Sequence, residues 1–349
     1  MSSKEDKIKI KVAIARLKKK NAFYKDYCKS NKIKIKGRVK EAIDSINLLC
    51  KLITKLAARK DFYQKLPEGF EGPCGYVPSA ILHIVESAEL AWEPAVTKCT
   101  DIKNVERDVS MFGCFPWTSE SYPWPTYFDK NNKKVYAAPG MQIDLEGIKE
   151  FNEDNLGDGL LQVWFTDNLK NSNVDIVLIP RSIVNKEDPD VTFHHSKDPW
   201  QQILNSDLLS DIELELMESD MAEAGSKDWV INDWKIIGVQ TDECDSLPEF
   251  SDEWDRVDVD EFDFTYNTSK IINMIYDLLS DRNEYGITSL FGVPAADQRT
   301  WKDFYNEGNR NLLTLNSEGY IQLGDEINVQ LMYKKENDEV SFSFYWDCD

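Results

Sequence analysis

The stretch whose reading decides the fold runs from Ser110 to Phe165. It opens with Ser110-Met-Phe-Gly-Cys-Phe-Pro-Trp117 and passes through Tyr122-Pro-Trp-Pro125. It continues with Pro139-Gly-Met-Gln-Ile-Asp-Leu145 and Gly157-Asp-Gly-Leu-Leu-Gln-Val-Trp-Phe165. Pro removes a backbone donor and Gly favours turns, so this density of Pro, Gly and Trp does not suit a plain helix. It predicts tight turns between short, aromatic-rich strands. The stretch offers no nucleophile beside a base and no metal cluster, so it speaks of fold more than of chemistry.

On its C-terminal side, Val174 to Ile179 is an apolar run of strand length stopped by Pro180. Ser269 to Leu279 predicts a helix. Leu312 to Leu315, Val329 to Tyr333 and the alternating Val340 to Trp346 predict closing antiparallel strands. On its N-terminal side, Ser79 to Leu90 predicts a helix, and strands begin near Pro94. Residues 1–65 predict a pair of basic helices. In the second, Val39, Ile43, Ile46, Leu49, Ile53 and Leu56 fall on one face. In the first, Ile8, Val12, Ala15 and Leu17 recur near helical spacing between lysines. Strands and helices do not alternate regularly. The expected class is therefore α+β, a mostly antiparallel or mixed sheet of short strands with flanking helices, preceded by a basic helical segment. The expected organisation is an N-terminal extension over 1–66 and an α+β domain over 67–349.

Charge is unevenly placed along the 349 residues. The net charge is −21, but residues 1–65 carry +14 and the remainder −35. Within residues 207–263 there are 20 Asp and Glu against 3 Lys and Arg. Trp229, Trp234 and the run Ile236 to Val239 mark this segment as folded rather than low-complexity. An acidic body repels nucleic acid and anionic membranes and attracts basic partners. The basic arm has three candidate uses: folding back on the acidic body, docking on a second copy, or gripping nucleic acid. The last is disfavoured by its few aromatics.

The seven cysteines are odd in number, widely spaced and without C-x-x-C, which argues against a disulfide framework or a zinc ribbon. No apolar h-region follows Met1, and no apolar run approaches a membrane span, so a cytoplasmic home is expected.

The ordered motifs resemble those of the YwqG-like proteins, a bacterial domain of unknown function. The matching residues are Ser110 to Pro116, Trp124-Pro125, Gln142 to Leu145, Gly159 to Phe165, Gly292-Val-Pro294 with Gln298, Leu312 to Ser317, and Gly324-Asp325. They span roughly residues 93–348. Cys114 stands where the family pattern has Gly, and the Gly two places after Asp325 is replaced. The resemblance implies an α+β fold and carries no established reaction. Members often look like parts of toxin–immunity or related interaction loci.

Catalytic candidates are sparse. His83 lies in an apolar helix. His194 and His195 are adjacent, so on a strand they face opposite sides. Cys114 with either is a conceivable nucleophile pair that nothing in the sequence brings together. Nucleophile-elbow, P-loop, dinucleotide-binding and H-E-x-x-H signatures are absent. Counted as an EF-hand from Asp258, the sixth and twelfth positions are Asp263 and Ser269, so that motif fails. No catalytic residue, cofactor or metal is expected. The partner-binding candidates are Asp252, Glu253, Asp255, Asp258, Asp260, Glu261 and Asp263. Trp117, Trp124, Asp144 and Asp325 are candidates for a ligand cleft, with packing and turn-holding as their alternative roles.

The expected function is a non-enzymatic binding protein of immunity type that sequesters a basic toxin. The alternatives are a small-ligand protein or enzyme using that cleft, or a nucleic-acid adaptor using residues 1–65.

Overall fold

Alternation of apolar and polar residues gives the longest strands their place. In Trp229–Gln240, Ile231, Trp234, Ile236 and Val239 are buried while Asn232, Asp233 and Lys235 are exposed. The computed structural model describes residues 3–30, 32, 34–63, 77–99, 105–128, 131–151, 154–166, 174–192, 194, 228–242, 266–280, 288–294, 301–316, 327–337 and 339–348.

The helices are α1 (Ser3–Ser30), α2 (Arg38–Ala57), α3 (Val77–Ser87), α4 (Leu145–Ile148), α5 (Arg181–Val184), α6 (Tyr266–Ser280) and α7 (Trp301–Asn306). The strands are β1 (Glu89–Lys98), β2 (Met111–Phe112), β3 (Thr126–Phe128), β4 (Lys134–Tyr136), β5 (Ala138–Asp144) and β6 (Leu160–Phe165). They continue with β7 (Val174–Ile179), β8 (Trp229–Gln240), β9 (Ser289–Phe291), β10 (Asn309–Asn316), β11 (Ile327–Glu336) and β12 (Glu339–Cys348). One ten-stranded sheet runs in the order β12-β11-β10-β9-β1-β8-β2-β5-β6-β7. Every pairing among the described strands is antiparallel. The fold is α+β. The outer ends of the sheet come near one another, with Phe165 of β6 edge-on to Phe344 of β12 at 5.9 Å.

Several strands are longer than the sequence suggested: β1, β11 and β12 have 10 residues and β8 has 12. The helix expected over Ser79 to Leu90 ends earlier, at Ser87, and Leu90 to Trp92 belong to β1. Pro94 is accommodated inside β1 between two register shifts, at Ala91/Trp92 and Ala95/Val96.

The basic helices lie on the helical side of the sheet and join its core. In α2, Ile43, Ile46, Leu49, Leu52, Ile53 and Leu56 are all 4 % exposed or less, and belong to the same apolar cluster as Trp92, Ile143, Val163 and Leu331. The face foreseen for α2 is the face that is buried. In α1 the buried stripe is Ile10, Ala13, Ile14, Leu17, Tyr24 and Cys28, whereas Ile8 and Val12 are 56 % and 49 % exposed. The run Lys7-Ile-Lys-Ile-Lys-Val12 presents apolar residues at a spacing of two. Two helical faces therefore compete there, and Leu17, Tyr24 and Cys28 further along decide between them. The segment read as an extension thus shares one core with the sheet.

Candidate functional site

The Pro- and Trp-rich chain after β2 lies across the outer face of β5 and β6, opposite the helices. Trp117 is 2 % exposed and packs on Leu160 and Ile179. Trp124 is 4 % exposed, stands T-shaped to Trp164 at 5.0 Å, and donates its Nε1–H to the Ala137 carbonyl at 2.8 Å. These tryptophans are packed side chains and not walls of an open cleft.

What holds this layer down is a pair of buried glutamines, which the sequence reading placed within motifs but gave no role. Gln142 and Gln162 face each other across β5 and β6. Gln142 Oε1 accepts the Trp117 N–H at 2.9 Å and Gln162 Nε2–H at 2.8 Å. Gln142 Nε2 donates to the carbonyls of Arg107 and Val109, each at 2.7 Å. Gln162 Nε2 also donates to the Trp117 carbonyl at 2.6 Å, and its Oε1 accepts Trp164 Nε1–H at 3.0 Å. All four hydrogen-bonding positions of Gln142 are filled. The legible signal was a Gln amid apolar residues on each of two neighbouring strands.

Asp144 caps α4, its Oδ1 accepting the Glu146 N–H at 3.1 Å, and it pairs with Arg181. Burial raises the Asp144 carboxyl above its ordinary range, while Arg181 and the Glu146 and Gly147 amides pull it the other way. Asp144 is thus held in a turn and an ion pair. Asp325 and the acidic set Asp252, Glu253, Asp255, Asp258, Asp260, Glu261 and Asp263 lie outside the described residues.

Cys114 is buried at φ 57, directly after Gly113 at φ 61. A left-handed backbone suits Gly, so Cys114 holds a conformation that side chains disfavour. The Cys114 N–H is held by Asp228 Oδ1 at 2.7 Å. Burial pushes its thiol well above the usual range, the opposite of an activated nucleophile. His83 Nε2 lies 2.7 Å from Asp242 Oδ2, tying α3 to the end of β8. The His194 ring stacks on Tyr136 at 3.9 Å. Among the described residues, no group of three or more His, Cys, Asp or Glu is placed to hold a metal ion. No described helix is long and apolar enough to cross a membrane.

Two features remain that can bind something. The first is the charge layout. Lys11, Arg16, Lys18, Lys29, Lys51 and Lys55 are exposed on the outer side of α1 and α2. An ion pair joins these helices to the sheet, Lys20 to Glu89 at 2.6 Å. Burying the six apolar side chains of α2 contributes on the order of 10 kcal/mol before entropy is counted. A partly exposed ion pair contributes about 0–1 kcal/mol. Apolar contact docks the helices, and most of their charge is left facing water.

The second feature is a cavity of about 240 Å³ between α1, β1, Phe151 and Asp154, and the β9, β10 and β11 strands. Trp92, Phe151, Phe291 and Tyr333 supply aromatic wall. Trp92 lies 5.3 Å from Phe151 and 5.8 Å from Phe291. Phe291 and Gly292 are both left-handed, at φ 56 and 74. A Cβ on Gly292 would fall 2.2 Å from Gln240 Oε1 and 2.8 Å from Ala91 Cβ. Asn311, 3 % exposed, lines the cavity. Its Nδ2 donates to the Phe291 carbonyl at 2.7 Å and to Thr314 Oγ1 at 3.0 Å, which fixes the amide orientation. Its buried Oδ1 has no hydrogen-bond partner among the described residues. An acceptor left so is destabilising by about 1–3 kcal/mol. Of these residues the sequence reading had singled out only Gly292.

No protein-family model, no curated protein and no solved structure matches this chain.

Proposed function

We propose that this is a non-enzymatic binding protein, related to the YwqG-like proteins and of immunity type, which captures a basic protein through the acidic segment 207–263. The observation that carries the reading is the manner in which α1 and α2 dock. They are held through apolar stripes that share one core with the sheet, beside an ion pair from Lys20 to Glu89. With the +14 of residues 1–65 counted, the whole chain still carries −21, a net field that attracts a basic partner. That charge raises the association rate of a basic partner, and packed contacts then set how long it stays.

The test begins with capture from the producing cell's lysate at low salt, followed by purification of the captured protein. Its association rate with this chain should fall steeply with ionic strength. It should drop about 10-fold when Asp255, Asp258, Asp260 and Asp263 are all replaced by Asn. Co-expression with this chain should relieve the captured protein's toxicity. An association rate unchanged by the four substitutions would sink the reading.

A further inference from the structure

We propose that Cys99 and Cys114 form a site of reversible oxidation, in which a hydroperoxide converts the two thiols into a disulfide beside the start of β8. The inference does not depend on the protein-capture reading.

The sheet is what brings the two cysteines together. Lys98 at the end of β1 and Phe112 at the end of β2 both pair with Trp229, one on each side of β8. The preceding residue, Asp228, holds both departing chains. Its carbonyl accepts the Cys99 N–H at 2.8 Å, and its Oδ1 accepts the Cys114 N–H at 2.7 Å. The two side chains meet beside this residue, near enough for one thiol to hydrogen-bond the other. Both are reduced. A disulfide requires two backbones fixed at short range, and one aspartate anchoring both amides supplies that. Cys114 also stands at φ 57, where a side chain is disfavoured and Gly is not. Strained positions of this kind cluster at functional sites.

The two thiols are unequal, and this sets the order of events. Cys99 is half-buried, whereas Cys114 is 2 % exposed. Burial and the neighbouring Asp228 carboxylate also keep the proton on the Cys114 thiol. Cys99 is therefore the group that meets the peroxide. Its thiolate attacks one peroxide oxygen, the O–O bond breaks, hydroxide leaves, and Cys99 becomes a sulfenic acid. The Cys114 sulfur then attacks the Cys99 sulfur. The S–O bond breaks, and the hydroxyl departs with the Cys114 proton as water. Two electrons pass from the thiol pair to the peroxide, and a dithiol reductant returns them by exchange. With Cys114 beside it, the sulfenic acid is resolved before a second oxidation.

The test is hydrogen peroxide treatment of the full chain, then alkylation of the remaining thiols and peptide mapping by mass spectrometry. The expected product is a peptide pair linked through Cys99 and Cys114, lighter by two hydrogens and separated again by dithiothreitol. This is read on the parent chain and needs no variant to fold. Cys114→Gly suits the left-handed turn. Oxidised in the presence of dimedone, it should carry at least ~10-fold more adduct on Cys99 than the parent does. Cys99→Ser should leave Cys114 reduced. Before oxidation, a small alkylating reagent should label Cys99 at least ~10-fold faster than the buried Cys28, Cys50 and Cys114. The proposal is overturned if the linked pair does not form, or if Cys114 is oxidised as readily in Cys99→Ser. It is equally overturned if Cys114→Gly traps no more dimedone than the parent, or if Cys99 is labelled no faster than the buried thiols.

Discussion

Replacing Gln142 by Leu removes the centre of the clamp that holds the Trp117 segment to the sheet. The side chain is fully buried, and four hydrogen bonds end on it. After the change, the buried Trp117 N–H loses its partner outright. Gln162 Nε2 keeps only the Trp117 carbonyl. The Arg107 and Val109 carbonyls belong to residues that are not fully buried and recover some hydration. One orphaned buried donor and one half-satisfied amide, at about 1–3 kcal/mol each, give an expected loss of roughly 3 kcal/mol. Gln162→Leu should cost a similar amount, because it strips Trp164 Nε1 and the Trp117 carbonyl. The double variant is the sharper measurement. It removes both halves of the Gln–Gln bond, so its loss should fall short of the summed single losses by about 1 kcal/mol or more. Urea unfolding read by tryptophan fluorescence, at constant m, reports all three. Single variants within about 0.5 kcal/mol of the parent, or strict additivity in the pair, would refute the clamp.

Other outcomes follow from single contacts. Ile10→Ala should destabilise by about 2–4 kcal/mol and Ile8→Ala by under ~0.5, by the same assay, because only Ile10 faces the core. Gly159→Ala should be strongly destabilising, since its Cβ would sit 2.1 Å from the Ile179 carbonyl oxygen, a backbone atom in the paired strand β7; a Tm unchanged from the parent would contradict the register of that edge. Asp228→Asn keeps an acceptor for the Cys114 amide and removes a charge that burial disfavours. A carboxyl whose folded pKa is raised favours the folded state below its unfolded pKa, and that contribution is lost as pH rises through the folded value. The Asn variant should therefore have the higher Tm near pH 7, with the gap closing below about pH 4; a gap that persists in acid would show the effect is not titration.

Much of this architecture is written in residue spacing. The face of α2, the run forming β7 and the alternation of β12 are each local patterns, and each survives in the structure. The face of α1 was misread because two apolar registers overlap in its first turns, and packing far along the helix chooses between them. Trp117 and Trp124 had two readings in the sequence, cleft wall or packing, because proline neighbours mark turns without saying which way the rings face. They are buried because Gln142 and Gln162, a partnership between strands, draw the turn-rich chain down onto the sheet. The cavity could not be read in advance. Its walls come from α1, Phe151, β1, β9, β10 and β11, which lie far apart along the chain. Asn311 is conspicuous only once its Oδ1 is seen to lack a partner.

The position of β1 bears on how the protein is made. This strand sits at the middle of the sheet, yet its two neighbours are β8 and β9, formed by residues 229–240 and 289–291. While the chain is being synthesised, α1, α2 and β1 leave the ribosome with no sheet to cover them, and wait until most of the remaining sequence has followed. Nearly the whole length must therefore be present before the core can close, and the apolar stripe of α2 is exposed throughout that interval. A stalled or truncated product would carry lysine-rich helices with open greasy faces, the kind of intermediate that chaperones retain and aggregation consumes.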